Sequence, residues 1–232
     1  MAKRGVIIVA GGSGSRMQSS LPKQFMILGG EPVVARTINT FHEALPGAEI
    51  VVVLPEEHIP LWRNLASRFE VAPHRTVCGG NERFDSVKNG LSALSKEVEY
   101  VAIHDGVRAL VSKRLIIGAM LEVERCNAVI PVVDAVDSYR VVEGDESKVI
   151  SRSMLRIVQT PQVFRSDILR RAYEQSFDPR FTDDATVVES LGVKITLLKG
   201  ERSNIKLTTP EDMVYAEALL EQSEKCGVCD TY

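Results

Sequence analysis

No run in the 232-residue chain approaches the ~20 consecutive apolar residues that span a bilayer, which argues against a membrane protein. An excess of basic charge is missing too. The formal net charge is −3, and without a basic face there is little affinity for a phosphate backbone, so a nucleic-acid binder is disfavoured. Cysteines are few: Cys78, Cys126, Cys226 and Cys229 sit in a chain long enough to bury a proper core without disulfides. Cys226-Gly-Val-Cys229 has no partner His or Cys beside it and reads as an incidental tail rather than a metal or redox pair. Met1-Ala2-Lys3-Arg4 runs straight into the first aliphatic stretch, which leaves no room for a signal peptide and predicts a cytoplasmic protein. Repeats and low-complexity tracts are absent, and 44% hydrophobic with 25% charged residues is ordinary for a soluble enzyme. A single domain over residues 1–232 is expected.

What is present begins with Val6 to Ala10, an almost uninterrupted aliphatic run that reads as a strand buried on both faces of a sheet. Gly11, Gly12 and Gly14 follow and let the backbone bring several N–H groups against a ligand, while Arg16 and Lys23 add two positive charges. This is a phosphate cradle. It is not a Walker loop, because no Lys-Ser/Thr follows a glycine at the required spacing. A dinucleotide fingerprint needs a third glycine where Met17 stands, which weakens a nicotinamide-dependent oxidoreductase. Ala10-Gly11-Gly12, Gly14, Arg16-Met17 and Pro22-Lys23-Gln24 together resemble the signature of nucleotidyltransferases that move a nucleoside monophosphate from a triphosphate onto a phosphorylated sugar or polyol.

The rest of the chain alternates strands and helices. After an extended segment from Gln24 to Gly30, helices are predicted from Pro32 to about Leu45 and from Glu56 to Phe69. A third starts near Asp85 and a fourth runs from Ser112, its N-cap, to about Cys126. Strands are predicted at Glu49 to Leu54, Arg75 to Cys78, Tyr100 to Ile103 and Ala128 to Val133. The pattern implies an α/β fold, a Rossmann-like, mostly parallel sheet flanked by helices, with ligands at the carboxyl ends of the strands, where Gly11, Gly80 and Asp105 fall. Asp134 to Arg152 breaks the alternation. It reads as a β-hairpin leaving the domain, an arm at about residues 134–156, and a two-stranded ribbon too marginal to stand alone predicts packing on a second subunit. Helices around Ser166 to Glu174 and Asp183 to Leu191, a strand from Val193 to Leu198 and a helix from Pro210 to about Gln222 complete the chain.

Four further stretches resemble the 2-C-methyl-D-erythritol 4-phosphate cytidylyltransferase family: Gly79-Gly80-Asn81-Glu82-Arg83-Phe84-Asp85-Ser86-Val87, His104-Asp105-Gly106-Val107-Arg108, Arg152 through Thr160-Pro161-Gln162, and Asn204-Ile205-Lys206-Leu207-Thr208 with Pro210-Glu211-Asp212. The resemblance implies CTP and a polyol phosphate as substrates, with ribitol 5-phosphate as the near alternative to methylerythritol phosphate. It implies that Arg16 and Lys23 serve the triphosphate and the transition state and that Lys206 and Arg152 hold the acceptor phosphate. Ala10, Gly11, Gly12, Gly14, Gly80, Arg83 and Ser86 would then bind nucleotide, Gly80 and Ser86 meeting the cytosine. Asp105, Arg108, Ser138 and Thr160 would line the acceptor site, Asp105 near a Mg²⁺ ion. Ser138 stands where threonine is usual and keeps the hydroxyl, and Arg156 stands where an aromatic is common. A homodimer joined through the arm is expected.

The chemistry asks for such residues. An acceptor phosphate oxygen attacks the α-phosphorus in line, so cations must offset crowded negative charge, while an already anionic nucleophile needs no general base. His104 is therefore expected to be structural. A non-catalytic nucleotide sensor would have no reason to keep Arg16, Lys23, Asp105, Arg152 and Lys206 together.

Overall fold

The aliphatic run at Val6 becomes the middle of β1 (Arg4–Val9), which pairs in parallel with β4 (Glu49–Leu54) on one side and β6 (Tyr100–Asp105) on the other. Its lack of polar alternation follows from that position. Val6 and Ile8 enter a core layer filled from α1 (Val33–Ala44), α2 (Ile59–Arg68) and α4 (Lys113–Val123). Ile7, on the other face, enters a layer filled from α3 (Arg83–Ala93), α5 (Ser166–Ala172) and α6 (Asp184–Glu189). The computed structural model describes residues 2–12 and 21–225, so Gly14, Arg16, Cys226 and Cys229 lie outside the described residues. Among the described residues no helix is long and apolar enough to cross a membrane.

The main sheet has eight strands. Its order is β10 (Arg156–Val158), β7 (Ala128–Asp134), β11 (Gln162–Arg165), β6, β1, β4, β5 (Arg75–Cys78), with β12 (Thr196–Lys199) also pairing with β7. β10 and β11, which the sequence pattern does not reveal as strands, run antiparallel to their neighbours. The reason is topological. A parallel return needs a crossover of a dozen or more residues, usually a helix, whereas here the chain leaves β7 into the arm and comes straight back. β10 and β11 pair with β7 in two registers: Val158 faces Val132 and Val163 faces Val129, so the chain carries a bulge at Gln159-Thr160-Pro161.

Other boundaries shift by a few residues. Lys23–Phe25 forms a 3₁₀ turn before the small hairpin of β2 (Ile27–Leu28) and β3 (Glu31–Pro32), and α1 starts one residue after Pro32. The segment after β4 divides into a 3₁₀ turn at Glu56–His58 and α2. The arm is a separate two-stranded sheet, β8 (Tyr139–Glu143) and β9 (Glu146–Ile150), turned at Gly144, whose φ of +62° suits glycine. Its Val142 and Val149 are 70% and 74% exposed. Finally α7 (Pro210–Lys225) closes a third small core of Leu28, Val33, Val107, Ala109, Leu207 and Ala216.

Candidate active site

β1, β4, β5 and β6 finish on one edge of the sheet, and the ladder carries on briefly past them: Ala10 N–H donates to Val53 O, Gly79 N–H to Leu54 O and Gly106 N–H to Val9 O. The loops that follow form a concave rim. On the β1 side, Gln24 Nε2 donates to Ala10 O at 2.9 Å and ties the 3₁₀ turn to the strand end. Lys23 is buried, and its stem lies along Gly12, where an added Cβ would meet Lys23 Cε at 3.7 Å. On the β5 side, Gly80 N–H donates to Ser86 Oγ at 3.1 Å. Gly80 has no alternative, because a Cβ there would stand 2.2 Å from Asp85 Cβ. Asp85 is held in turn by the Glu82 and Asp85 capping box that starts α3.

Arg83 belongs to a network that the motifs do not announce. Its guanidinium is bidentate to Asp184, at 2.8 Å and 2.7 Å, and Tyr173 donates its hydroxyl to the same carboxylate at 2.6 Å. Asp184 is fully buried and Tyr173 nearly so. Gln162 of β11 fixes the start of α6 by accepting from Ala185 N–H at 2.9 Å and donating to Asp183 at 2.8 Å. Burial alone would lower the Arg83 pKa, but Asp184 reverses the effect and holds it above the usual value. The remaining face of Arg83 lies 3.8 Å from Asp105 Oδ1.

Asp105 ends β6 and gathers three cations: Lys206 Nζ at 3.0 Å, Arg108 Nε at 3.4 Å and Arg83 at 3.8 Å. Burial pushes its pKa up, yet Lys206, Arg83 and Arg108 together overcome that and hold the carboxyl well below the usual range. Lys206 reaches Asp105 because its loop is fastened across the end of β6. Leu207 N–H donates to Val107 O at 2.9 Å, Asn204 Nδ2 to Thr160 O at 2.8 Å and Arg108 Nη1 to Asn204 O at 2.8 Å. The bulge supplies the rest: Gln159 Nε2 donates to Glu201 O at 2.7 Å, and Thr160 Oγ1 accepts from Asp105 N–H at 3.1 Å. Thr160 is therefore a support of Asp105.

His104 lies behind that support. It is fully buried against Phe41, with ring centroids 4.9 Å apart. Thr160 Oγ1 is 2.9 Å from its Nδ1, and Arg108 O is 3.2 Å from its Nε2. Arg108 O can only accept, so Nε2 carries the proton and Nδ1 accepts from the Thr160 hydroxyl. Burial lowers its pKa to about 3, so the imidazole is neutral.

The structure thus brings Ala10, Gly11, Gly12 and Lys23 together at one loop, Gly80 and Ser86 at the next, and Arg83, Asp105, Arg108, Thr160 and Lys206 around one carboxylate. Ser138 and Arg152 stay on the exposed arm, where Arg152 Nη1 donates to Val136 O at 2.8 Å, and nothing within the described residues links either to Asp105. Arg156 pairs with Asp134 at 3.2 Å across β10 and β7, a root for the arm. Asp184 and Tyr173 escape the sequence reading, and Gln159 and Asn204 stand in quoted motifs without a role assigned to them; the one trace of Asp184 is Asp183-Asp184 at a helix start, where only the N-cap, Asp183, is legible. Among the described residues no group of three or more His, Cys, Asp or Glu could cage a metal. One carboxylate fits Mg²⁺ carried mainly by phosphates, which uses few protein ligands.

Comparison with known proteins agrees over nearly the whole length. The family model described as 2-C-methyl-D-erythritol 4-phosphate cytidylyltransferase matches residues 5–222. A protein of that name from Bacteroides fragilis is 49% identical over 219 residues, covering 94% of this chain and 99% of its own. One from Bacteroides thetaiotaomicron is 46% identical over 219 residues, covering 94% and 100%. The crystal structure of 4-diphosphocytidyl-2C-methyl-D-erythritol synthase from Anaerococcus prevotii superposes with a TM-score of 0.81 at 29% identity, covering 95% of this chain and 96% of that one. The 2-C-methyl-D-erythritol 4-phosphate cytidylyltransferase of Thermus thermophilus gives 0.75 at 30% identity, covering 95% and 100%.

Proposed function

The chain belongs to the 2-C-methyl-D-erythritol 4-phosphate cytidylyltransferase family, and from that premise we propose how its residues divide the reaction. The enzyme transfers CMP from CTP to the phosphate of 2-C-methyl-D-erythritol 4-phosphate, giving CDP-methylerythritol and pyrophosphate in the non-mevalonate isoprenoid pathway. Family and relatives both carry the methylerythritol name, which decides against ribitol 5-phosphate as the acceptor.

An oxygen of the acceptor phosphate forms the new bond to the α-phosphorus while the bond to the oxygen bridging to the β-phosphorus breaks, and pyrophosphate departs with that electron pair. In our reading the Ala10-Gly11-Gly12 loop, with Gly14, places N–H groups on the triphosphate. Lys23, held along Gly12, follows the charge that moves onto the pyrophosphate, and Arg16 shares this task. Gly80 and Ser86 present the cytosine edge with fixed polar groups, and Arg83, locked by Asp184, is a permanent cation beside them.

The acceptor enters beside Asp105. Lys206, half-exposed, turns from Asp105 to the incoming phosphate, which leaves the carboxylate and Arg108 facing the polyol. Asp105 would hold Mg²⁺, which would offset the charge of the triphosphate. Ser138 and Arg152 complete this site from a second subunit, in a homodimer exchanging arms. CTP and the polyol phosphate belong to the cytoplasmic pool, where we place the enzyme.

The observation that carries this reading is the meeting of three cations on one buried carboxylate at the strand edge that bears the glycine loop. Pyrophosphate release tests it. Turnover is expected with CTP and methylerythritol phosphate, to be lost in EDTA and to fall with UTP, ATP or GTP. Equal turnover with UTP, or full turnover in EDTA, would overturn the assignment.

A further inference from the structure

Lys23 reaches the cradle from a single 3₁₀ turn, so its direction depends on what holds that turn. Gln24 fastens one side to Ala10 O. Phe25, almost fully buried, fastens the other: its ring lies nearly parallel to Trp62 of α2, with centroids 6.0 Å apart and planes at 11°, and meets His58 edge-on at 5.8 Å. Trp62 has no exposure, so its indole N–H needs a partner inside the protein. That partner is His74, whose Nε2 accepts it at 3.0 Å.

The pairing dictates the state of His74. An indole nitrogen can only donate, so His74 Nε2 carries a lone pair and Nδ1 holds the proton, directed at Ala72 O at 2.7 Å. Ala72 N–H in turn donates to Asn39 Oδ1 of α1 at 2.9 Å. The indole is thereby fixed both in plane and in rotation, at the point where the residue two after Lys23 rests on it. Packing alone would need the ring but not the tether.

We propose that Trp62 and His74 are positioning residues for Lys23, acting through Phe25 to aim the ammonium into the phosphate cradle. The inference rests on the reading of Lys23 as a phosphate ligand and goes beyond it by naming what orients that ligand. Loss of the indole lets the turn drift, and a displacement of about 1 Å is enough to lower turnover markedly without changing how the substrates are gripped elsewhere.

A double-mutant cycle tests this. Trp62→Leu and His74→Leu are each expected to lower kcat about tenfold while the KM for the acceptor stays near the wild-type value. In a Lys23→Ala background neither should lower kcat further, because the group they aim is gone. Trp62→Phe keeps a ring and removes the N–H; it should lower kcat about as much as His74→Leu does, and adding His74→Leu to it should then change kcat little. If Trp62→Leu is too unstable to purify, the His74→Leu arm carries the same comparison. Additive losses of kcat in the Lys23→Ala background, or a lowered melting temperature with unchanged kcat, would show that the tether only packs and would overturn the inference. A Lys23→Ala enzyme with wild-type kcat would instead overturn the role given to Lys23, and the positioning role with it.

Discussion

His104 stands beside the key carboxylate and would pass for a catalytic base, yet the residue is built to stay neutral. Burial places its pKa near 3, below the ordinary value of about 6.5, so the unfolded chain binds a proton in that interval that the folded one refuses. Stability should therefore fall as pH is lowered from about 6.5 towards 4, by on the order of 1 kcal/mol per pH unit from this group. Urea unfolding across that range should show a slope that flattens in His104→Gln, and kcat/KM should show no ionisation belonging to His104. Lys23 makes the opposite case. Lys23→Ala should lower kcat by ~10²-fold or more with unchanged thermal stability, as loss of one preorganised electrostatic group does; an unchanged kcat would remove it from the mechanism. Asp184 holds Arg83 without touching substrate in our reading. Asp184→Asn leaves a guanidinium without its countercharge, and should cost about 3 kcal/mol in denaturant unfolding and raise the Kd for CTP. The structural place of His104 is legible in the sequence because the chemistry asks for no base, while the role expected of Lys23 is what the resemblance implies. Asp184 is not legible, since its partner lies 101 residues away.

Among the elements, legibility follows how local the cause is. β1, β4 and β6 announce themselves as aliphatic runs because helices cover both of their faces, and α4 begins at Ser112 because its hydroxyl accepts from Leu115 N–H at 3.0 Å. β10 and β11 announce nothing. Arg156-Ile157-Val158 and Gln162-Val163-Phe164-Arg165 are too short to show a period, and they are strands because β7 and β6 offer edges to them. The bulge between them positions Asp105 and the Lys206 loop, so this side of the site is readable as motifs but not as geometry. The turn before α3 was readable as both. There Gly80→Ala drives a methyl group against Asp85, the turn opens, and CTP binding should weaken at least tenfold, about 1.4 kcal/mol, by calorimetry. Unchanged affinity would mean that this turn does not meet the nucleotide.

For the whole molecule, the arm is the part that the proposed exchange between two copies concerns. Val142, Val149 and Met154 project from it at 70%, 74% and 79% exposure, and Arg152 donates to Val136 O and forms no ion pair among the described residues. If arms are exchanged, mixing Lys23→Ala with Arg152→Ala under subunit exchange gives mixed dimers with one intact site and one doubly damaged site. Random pairing should then restore about a quarter of wild-type activity, and verified exchange without recovery would place Arg152 in its own subunit's site. The strand order has a consequence of another kind. β11 bonds to β6 and β7 at once, so during synthesis both strands present bare edges, along Val101 to Ile103 and at Ala128 and Val129, until Gln162–Arg165 has left the ribosome. Nascent chains that stop short of Gln162 should therefore aggregate or recruit chaperones more than chains extended through Ala172, which leave bare the edge of β7 that β12 later covers. Sedimentation of the two truncated translation products would reveal the difference, and β11 would then be the latch that decides when the growing polypeptide becomes safe from its neighbours.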